Sequence, residues 1–165
     1  MSGRRLAWLI LPFGALLLDW ASKAAILQRL RFEGDSIPLI PGIFHFTLGY
    51  NPGAIFGSFQ GLNPTLRALL FGAAGVVALL YFGKAFLDEA TPRLERIALG
   101  MILGGALGNG LDRLRHGHVV DFIDVIIRGW HYWTFNVADS FIVVGGLLFG
   151  WALIKPPQGG RSEGA

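Results

Sequence analysis

The chain of 165 residues has the length of one domain but not the composition of a soluble one. Hydrophobic residues make up 53% of it and charged residues only 15%, whereas soluble domains typically carry about 25% charged residues. A domain this small cannot bury so much apolar surface, so the composition predicts an integral membrane protein. The formal net charge of +3 is small, and in a membrane protein it indicates contact with lipid headgroups rather than with nucleic acid.

The residues available for chemistry are limited in two ways. The sequence contains no cysteine, which excludes disulfides, thiolate nucleophiles and Cys-based zinc sites. Its four histidines form neither an HExxH motif nor a pair spaced four apart on a helix. We therefore predict no metal site and no cofactor.

Four apolar segments follow one another along the chain, at about 6–27, 65–86, 97–114 and 136–154. They are close to the ~20 residues that a helix needs to cross a bilayer. The basic leader before the first segment is also typical of a cleavable signal peptide. Because three further apolar segments follow, we interpret the first as a retained span. The predicted fold class is a membrane all-α bundle of four transmembrane helices.

Residues 28–63 differ in character from the segments on either side of them. They combine charges, prolines and glycines with short β-type runs, a pattern that predicts a small extramembrane β-cradle. Residues 1–155 would form a single domain, and residues 156–165 a disordered cytoplasmic tail. Four spans place both termini on one side of the membrane, and a slight excess of Lys and Arg predicts that this side is cytoplasmic.

Two patterns within the predicted spans indicate an ion pair between side chains and close packing between helices. Asp19 and Lys23 stand four residues apart, so on a helix they share one face and favour an ion pair. Such a pair is equally consistent with two roles: it could lie where the helix leaves the membrane, or it could support a functional site. Glycine is frequent in the third span, where we interpret Gly100 and Gly104 as positions of close helix packing.

Residues 104–139 contain four acids at the edges of segments that otherwise suit lipid: Asp112, Asp121, Asp124 and Asp139. Charge in that setting is costly and usually functional. Asp121 and Asp139 flank the connection between the last two spans, where two carboxylates that share a proton would support aspartic-protease chemistry. Asp124 is an alternative, because it shares a face with Asp121 on a helix but not on a strand.

The neighbours of these acids leave further alternatives open. Asp112 and Arg113 form either a local ion pair at a helix end or a site in which Arg113 holds a substrate carbonyl or headgroup. Asn109 and Asn136 are placed to hydrogen-bond the acids or the substrate backbone. A small proton-coupled transporter that uses intramembrane carboxylates fits much of the same pattern, as does a scaffold protein. The gathering of the acids at one membrane edge favours an enzyme.

Five separate blocks, in order along nearly the whole chain, carry a family resemblance: Leu18-Asp-Trp-Ala-Ser-Lys23, Asn51-Pro-Gly-Ala-Ile-Phe56, Gly104-Gly-Ala-Leu-Gly-Asn-Gly-Leu-Asp-Arg113, Val119-Val-Asp-Phe-Ile123 and Phe135-Asn-Val-Ala-Asp139. With them the sequence resembles the lipoprotein signal peptidases, the type II signal peptidases of bacterial membranes. One block alone is weak evidence, whereas five in this order are specific. The sequence departs from the family pattern at Ile55, Gly57 and Gly110, which concerns loop packing and the shape of the lipid pocket rather than the chemistry.

The resemblance implies an aspartic endopeptidase that removes the signal peptide from prolipoproteins, on the N-terminal side of the diacylglyceryl-modified lipobox cysteine. It implies four transmembrane helices and a periplasmic β-cradle in the bacterial inner membrane, with both termini cytoplasmic. Asp121 and Asp139 take the catalytic positions. The supporting or substrate-binding positions fall on Asn51, Gly53, Asn109, Arg113, Asn136, Ala138, Asp19, Lys23 and Asp112.

The expected partners follow from the same resemblance. They are prolipoproteins that carry a diacylglyceryl-cysteine, membrane lipid and globomycin-type inhibitors. We expect a monomer that needs no cofactor and binds no nucleic acid.

Overall fold

The structure is a computed structural model that describes residues 3–53 and 63–154. Five helices lie in this part of the chain: α1 (Gly3–Trp8), α2 (Ile10–Leu27), α3 (Pro64–Leu87), α4 (Arg93–His116) and α5 (Val137–Ile154). The same residues form four strands: β1 (Ser36–Ile40), β2 (Phe44–Asn51), β3 (Val119–Ile127) and β4 (Trp130–His131). Helices α2 to α5 overlap the four predicted spans. The predicted tail, and the predictions for Ile55, Phe56 and Gly57, lie outside the described residues.

The ends of α3 and α4 follow from local sequence signals. Asn63 precedes α3, and its side-chain oxygen accepts a hydrogen bond from the N–H of Thr65 at 2.8 Å, while Pro64 occupies the first helical position. Helix α4 ends at Gly117, whose φ of +76° suits glycine and whose N–H donates to the carbonyl of Arg113 at 3.0 Å. These signals define where each helix starts or stops.

Helix α4 packs between α2 and α5 through its glycines. A Cβ built on Gly100 or Gly104 would lie 2.9 Å or 2.5 Å from atoms of α2. A Cβ on Gly105 would meet the carbonyl oxygen of Ala138 in α5. The packing role predicted for Gly100 and Gly104 is therefore confirmed. Gly105 allows the same close contact with α5 on the other side of α4.

The outward faces of the helices are apolar. Phe13 and Leu17 in α2, Leu80 in α3 and Leu147 in α5 are each more than 60% exposed, as expected of side chains that face lipid. In the described part of the chain, two segments are long and apolar enough to cross a bilayer, Leu6–Leu27 and Val137–Ile154. Length and composition thus identify two of the four predicted spans, while α3 contributes a shorter apolar stretch.

The strands form one antiparallel sheet in the order β1-β2-β3-β4. In the pairing of β2 with β3, Gly49 lies opposite Asp121 and His45 lies opposite Asp124. Only β1 and β2 fall within the predicted cradle region of 28–63, and the sequence analysis did not assign β3 and β4 to the sheet. Strand β3 is buried along most of its length, so it lacks the clean alternation of apolar and polar residues that marks a half-buried strand.

Two hydrophobic clusters fix the sheet and the helices. Side chains from the end of α2 and from the sheet form the first: Ile26, Leu30, Leu48, Val120 and Phe122. Phe86, Leu99 and Leu103 form the second, which fastens α3 to α4. The first cluster holds the sheet against the end of the bundle where α2 and α4 finish and α5 begins.

Candidate active site

Polar side chains from four elements meet where the sheet joins the bundle. They come from α2, α4, β3 and the start of α5: Asp19, Lys23, Asn109, Asp112, Asp121, Asn136 and Asp139. Five of the seven are at most 7% exposed, namely Asp19, Lys23, Asn109, Asp121 and Asn136. Polar groups buried to this degree are costly unless they bond one another, which they do.

The start of α5 holds Asp139 through a reciprocal cap. The side-chain oxygen of Asn136 accepts from the N–H of Asp139 at 2.8 Å. In return, the N–H of Asn136 donates to Oδ2 of Asp139 at 3.3 Å. This is the capping-box arrangement, with an acid three residues after the cap, and it sets the rotamer of the Asp139 side chain.

Two amides connect Asp121 to Asp139. Nδ2 of Asn136 donates to Oδ1 of Asp121 at 2.7 Å and to Oδ1 of Asn109 at 3.0 Å. Nδ2 of Asn109 then donates to Oδ1 of Asp139 at 2.7 Å. The sequence left open whether these asparagines bond the acids or a substrate, and in the structure they bond the acids.

The two carboxylates interact electrostatically. Burial, together with the charge of Asp139, raises the pKa of Asp121 from 3.8 to about 6. Hydrogen bonds from Asn51 and Asn136 and the charge of Lys23 oppose this rise without cancelling it. A carboxyl with this pKa holds a proton for part of the time near neutral pH, which is what a group that both donates and accepts protons requires.

A buried ion network lies beside the two amides. Nζ of Lys23 lies 2.7 Å from Oδ2 of Asp19 and 2.8 Å from Oδ2 of Asp112. Asp19 also accepts from the N–H of Ala138 at 2.9 Å, and Asp112 accepts from the N–H of Val120 at 3.1 Å. The predicted Asp19–Lys23 pair is therefore present, and its burial excludes a solvated pair at the membrane edge. Asp112 pairs with Lys23, an alternative that the sequence analysis did not consider.

Small residues bring this network close to α5. Ala138 is fully buried, and a Cβ on Gly108 would lie 2.5 Å from Oδ2 of Asp19 and 3.4 Å from the Cβ of Ala138. A larger side chain at either position would separate α2, α4 and α5. The sequence analysis named Ala138 as a supporting residue, whereas Gly108 was one of several glycines in the third span and was not assigned to the site.

Asn51, Gly53 and Arg113 form the side of the site next to the end of β2. The side chain of Asn51 hydrogen-bonds Asp121, and its oxygen accepts from the N–H of Gly53 at 2.9 Å. Gly53 has a φ of +92°, a conformation that other residues rarely adopt. The guanidinium Nε of Arg113 lies 3.8 Å from where a Cβ of Gly53 would be. The three predicted residues are thus brought together beside Asp121.

Asp124 lies apart from this constellation. It is on strand β3 with Asp121, three residues further on, so the helical alternative of a shared face does not apply. Its Oδ2 accepts from the hydroxyl of Thr47 at 2.8 Å and lies 2.8 Å from Nδ1 of His131. Within residues 3–53 and 63–154, no group of three or more His, Asp or Glu side chains is placed to hold a metal ion.

A sequence profile of the family described as signal peptidase (SPase) II matches residues 11–155. The chain belongs to the signal peptidase II family. A lipoprotein signal peptidase from a Nostoc species is 43% identical over 155 residues, which cover 93% of each chain. A lipoprotein signal peptidase from Neisseria meningitidis serogroup C is 41% identical over 139 residues, which cover 84% of each chain.

The fold also matches solved structures that are described as bacterial membrane enzymes. A bacterial membrane enzyme determined by the in meso method at 2.3 Å resolution superposes with a TM-score of 0.80 at 28% identity, over 96% of this chain and 94% of that one. A second, determined at 1.9 Å resolution, gives a TM-score of 0.78 at 30% identity, over 91% and 94%. As a member of the signal peptidase II family, the chain is a peptidase of the membrane.

Proposed function

We propose that this chain is an aspartic endopeptidase that removes the signal peptide from prolipoproteins, cleaving on the N-terminal side of the diacylglyceryl-modified lipobox cysteine. The observation that carries the proposal is the pair of carboxylates, Asp121 and Asp139, held at the two ends of the Asn136–Asn109 amide chain. Family membership supports it, as do the relatives named lipoprotein signal peptidases.

In the proposed reaction, Asp121 and Asp139 share one proton and hold a water molecule. The ionised carboxylate accepts a proton from the water as its oxygen attacks the scissile carbonyl carbon. The protonated carboxyl gives its proton to the carbonyl oxygen, which yields a neutral tetrahedral intermediate. The C–N bond then breaks as the proton taken from the water passes to the leaving amine and one hydroxyl proton of the intermediate returns to the dyad, which yields the carboxylic acid and restores the shared proton. The mechanism requires neither a thiol nor a metal.

The polar neighbours have separate roles in this proposal. Asn109 and Asn136 hold the carboxylates at a fixed separation, and because an amide does not titrate, this support does not change with pH. The network of Asp19, Lys23 and Asp112 braces α2 against α4, and through Ala138 against α5.

The substrate is proposed to approach from the end of β2. Asn51, Gly53 and Arg113 border Asp121 on that side, so an extended lipobox passing there would present its scissile carbonyl to the dyad. The signal helix and the acyl chains of the substrate would lie against the apolar outer faces of the helices. Globomycin-type inhibitors would compete for the same position.

The proposed topology is one domain of residues 1–155 with four spans and both termini cytoplasmic. The end of the bundle that carries the site also carries the sheet, which is consistent with one extramembrane face. Helices α3 and α4 are connected at the opposite end, where Arg93 and Arg96 add positive charge. The site would then lie at the outer face of the inner membrane.

Incubation of the purified, lipid-reconstituted protein with a lipidated prolipoprotein tests this function. Release of the signal peptide, blocked by globomycin, is the expected result. A protein that does not cleave but carries protons across the liposome membrane would overturn the proposal in favour of a proton-coupled transporter. The unlipidated precursor is the matched substrate control, because it lacks the diacylglyceryl group.

A further inference from the structure

The second buried carboxylate on β3, Asp124, has no part in the reaction proposed above. It is 1% exposed, yet within the described part of the chain only one of its oxygens is bonded: Oδ2 accepts from the Thr47 hydroxyl and contacts Nδ1 of His131. Because a carboxylate oxygen only accepts, we assign the proton of the second bond to Nδ1 of His131. Asp124 thus ties its own strand to β2 on one side and to β4 on the other.

His131 supplies one of the two hydrogen bonds that the buried carboxylate of Asp124 accepts. Among the described residues, its Oδ1 has no hydrogen-bond partner, and the nearby Nε2 of His45 is also buried without one. The hydroxyl of Ser36 also lies on this side, 2.9 Å from the Thr47 hydroxyl and 3.4 Å from Nδ1 of His45. Loss of His131 would leave the buried acid with a single hydroxyl donor, so the two side chains stabilise each other.

His131 begins the segment that leads from the sheet to α5. Strand β4 pairs with β3 at two positions, which holds a strand only weakly. Further along, the N–H of Tyr132 donates to the carbonyl of Val125 at 2.7 Å. Phe135 then exchanges two backbone hydrogen bonds with Ile123, at 2.7 Å and 3.0 Å. The segment His131–Asn136 is therefore attached to β3 by backbone hydrogen bonds near both ends, and at its start by the side-chain contact of His131 with Asp124 as well.

The last residue of this segment is Asn136, the residue that contacts both catalytic candidates. It donates to Asp121 and caps the helix turn that carries Asp139. A shift of the segment along β3 would therefore change the separation of the two carboxylates. The contact between Asp124 and His131 opposes such a shift.

We propose that Asp124 is a positioning residue for the peptidase reaction. With His131 and Thr47 it fixes the His131–Asn136 segment on β3, and this segment fixes Asp139 relative to Asp121. Asp124 touches neither the substrate nor the reacting atoms. This inference rests on the proposed function, because it concerns the geometry of the proposed dyad.

Kinetics of matched variants test the inference. Asp124→Ala and His131→Ala each remove the contact between the two side chains and should lower kcat about ten- to hundredfold, because a misplacement of about 1 Å has an effect of that size. KM should stay close to that of the wild type. Both variants should unfold at a somewhat lower temperature, because a buried contact is lost, but remain folded at the assay temperature. The double variant should be no worse than the worse single one, since the two side chains act as a unit. Asp88→Asn in the α3–α4 turn and His116→Ala at the exposed end of α4 are controls that should keep full activity.

Hydrogen exchange gives a readout that does not depend on activity. The peptide covering 131–139 should exchange faster in Asp124→Ala than in the wild type, while the peptides of α3 stay unchanged. An unchanged kcat in Asp124→Ala overturns the inference, and so does a loss of kcat that only follows a loss of folded protein. A wild type that does not cleave the lipidated precursor overturns the proposed function. In that case the exchange rates alone decide whether Asp124 holds the segment, and equal rates in Asp124→Ala and the wild type overturn that part as well.

Discussion

Two carboxylates on one strand, Asp121 and Asp124, are buried to the same degree and differ in their surroundings. Asp121 is 2% exposed and Asp124 is 1% exposed. Asp121 is held by the amides of Asn51 and Asn136 and lies near a second acid. The oxygen of Asp124 that is bonded faces a hydroxyl and an imidazole.

The difference teaches that burial alone does not produce an acid suited to catalysis. The amide donors of Asn51 and Asn136 carry no net charge, so together with the charge of Lys23 they reduce the effect of burial and of the acidic neighbour on Asp121 without cancelling it. The result is the raised pKa of about 6. An imidazole can carry a positive charge, so it can pair with a buried carboxylate as well as orient it. The same strand thus carries the carboxylate that we propose transfers protons and the carboxylate that we propose holds the segment leading to α5.

Replacement of either member of the proposed dyad by its amide should have the largest effect. Asp121→Asn and Asp139→Asn each remove a proton-transfer group, so kcat should fall about a thousandfold or more. Asparagine keeps the size of the acid and one of its two acceptor oxygens, so both variants should remain folded when thermal unfolding is measured. Asp124→Asn should retain more activity than either. Normal cleavage by Asp139→Asn would show that the dyad is wrongly assigned.

Lys23→Met extends the comparison to acids that are held by a cation. The substitution leaves the carboxylates of Asp19 and Asp112 without the ammonium that lies within 2.8 Å of both. We expect the free energy of unfolding to fall by about 3–5 kcal/mol, as is typical when one partner of a buried ion pair is lost. Denaturant titration of the reconstituted protein measures this. Lys84→Met, on an exposed part of α3, is the control, and equal stability of the two variants would contradict the role of Lys23.

The raised pKa of Asp121 should make the free energy of unfolding depend on pH. The folded protein keeps the proton of Asp121 up to about pH 6, whereas the unfolded carboxyl loses it near 3.8. Because the folded state binds more protons in this window, the contribution of Asp121 is fully present below pH 3.8 and is lost as the pH rises through about 6. The loss should amount to about 3 kcal/mol. Unfolding curves of the wild type and Asp121→Asn across this window should diverge, and parallel curves would refute the prediction.

Substitutions of two glycines in α4 test whether close packing maintains the site, with the smallest expected effects. Gly108→Ala would push a methyl group against Asp19 and Ala138 and should lower the free energy of unfolding by about 1–3 kcal/mol. Gly110→Ala has no atom within 4 Å of the new Cβ and should stabilise the helix by about 0.5–1 kcal/mol. Thermal unfolding compares the two. A Gly108→Ala protein that is as stable as Gly110→Ala would mean that α2 and α5 move apart without cost.

The sequence predicted the helices well because their signals are local. Long apolar runs marked α2 to α5, and Asn63-Pro64 and Gly117 are recognisable helix boundaries. The Asp19–Lys23 pair was predictable for the same reason, since both residues lie on one helical turn. Asp121 was singled out from Asp124 by the family resemblance, because residue spacing alone left both open.

The remainder of the site depends on contacts between residues that are distant in the sequence. Asp112 could be matched to Lys23 only once α2 and α4 were packed together, and the two are 89 residues apart. Strand β3 escaped prediction because its burial removes the alternation by which strands are recognised. The contact of Asp124 with Thr47 follows from the pairing of β2 and β3, which no local pattern specifies.

The reciprocal cap at the start of α5 makes one backbone amide an internal reporter of the site. The N–H of Asp139 is bonded to the side chain of Asn136, and Asn136 also holds Asp121. Fraying of this first helical turn would release the amide and separate the two acids in the same event. The protection of this N–H in a substrate-free protein therefore measures how much of the time the peptidase is assembled, before any peptide bond is offered to it.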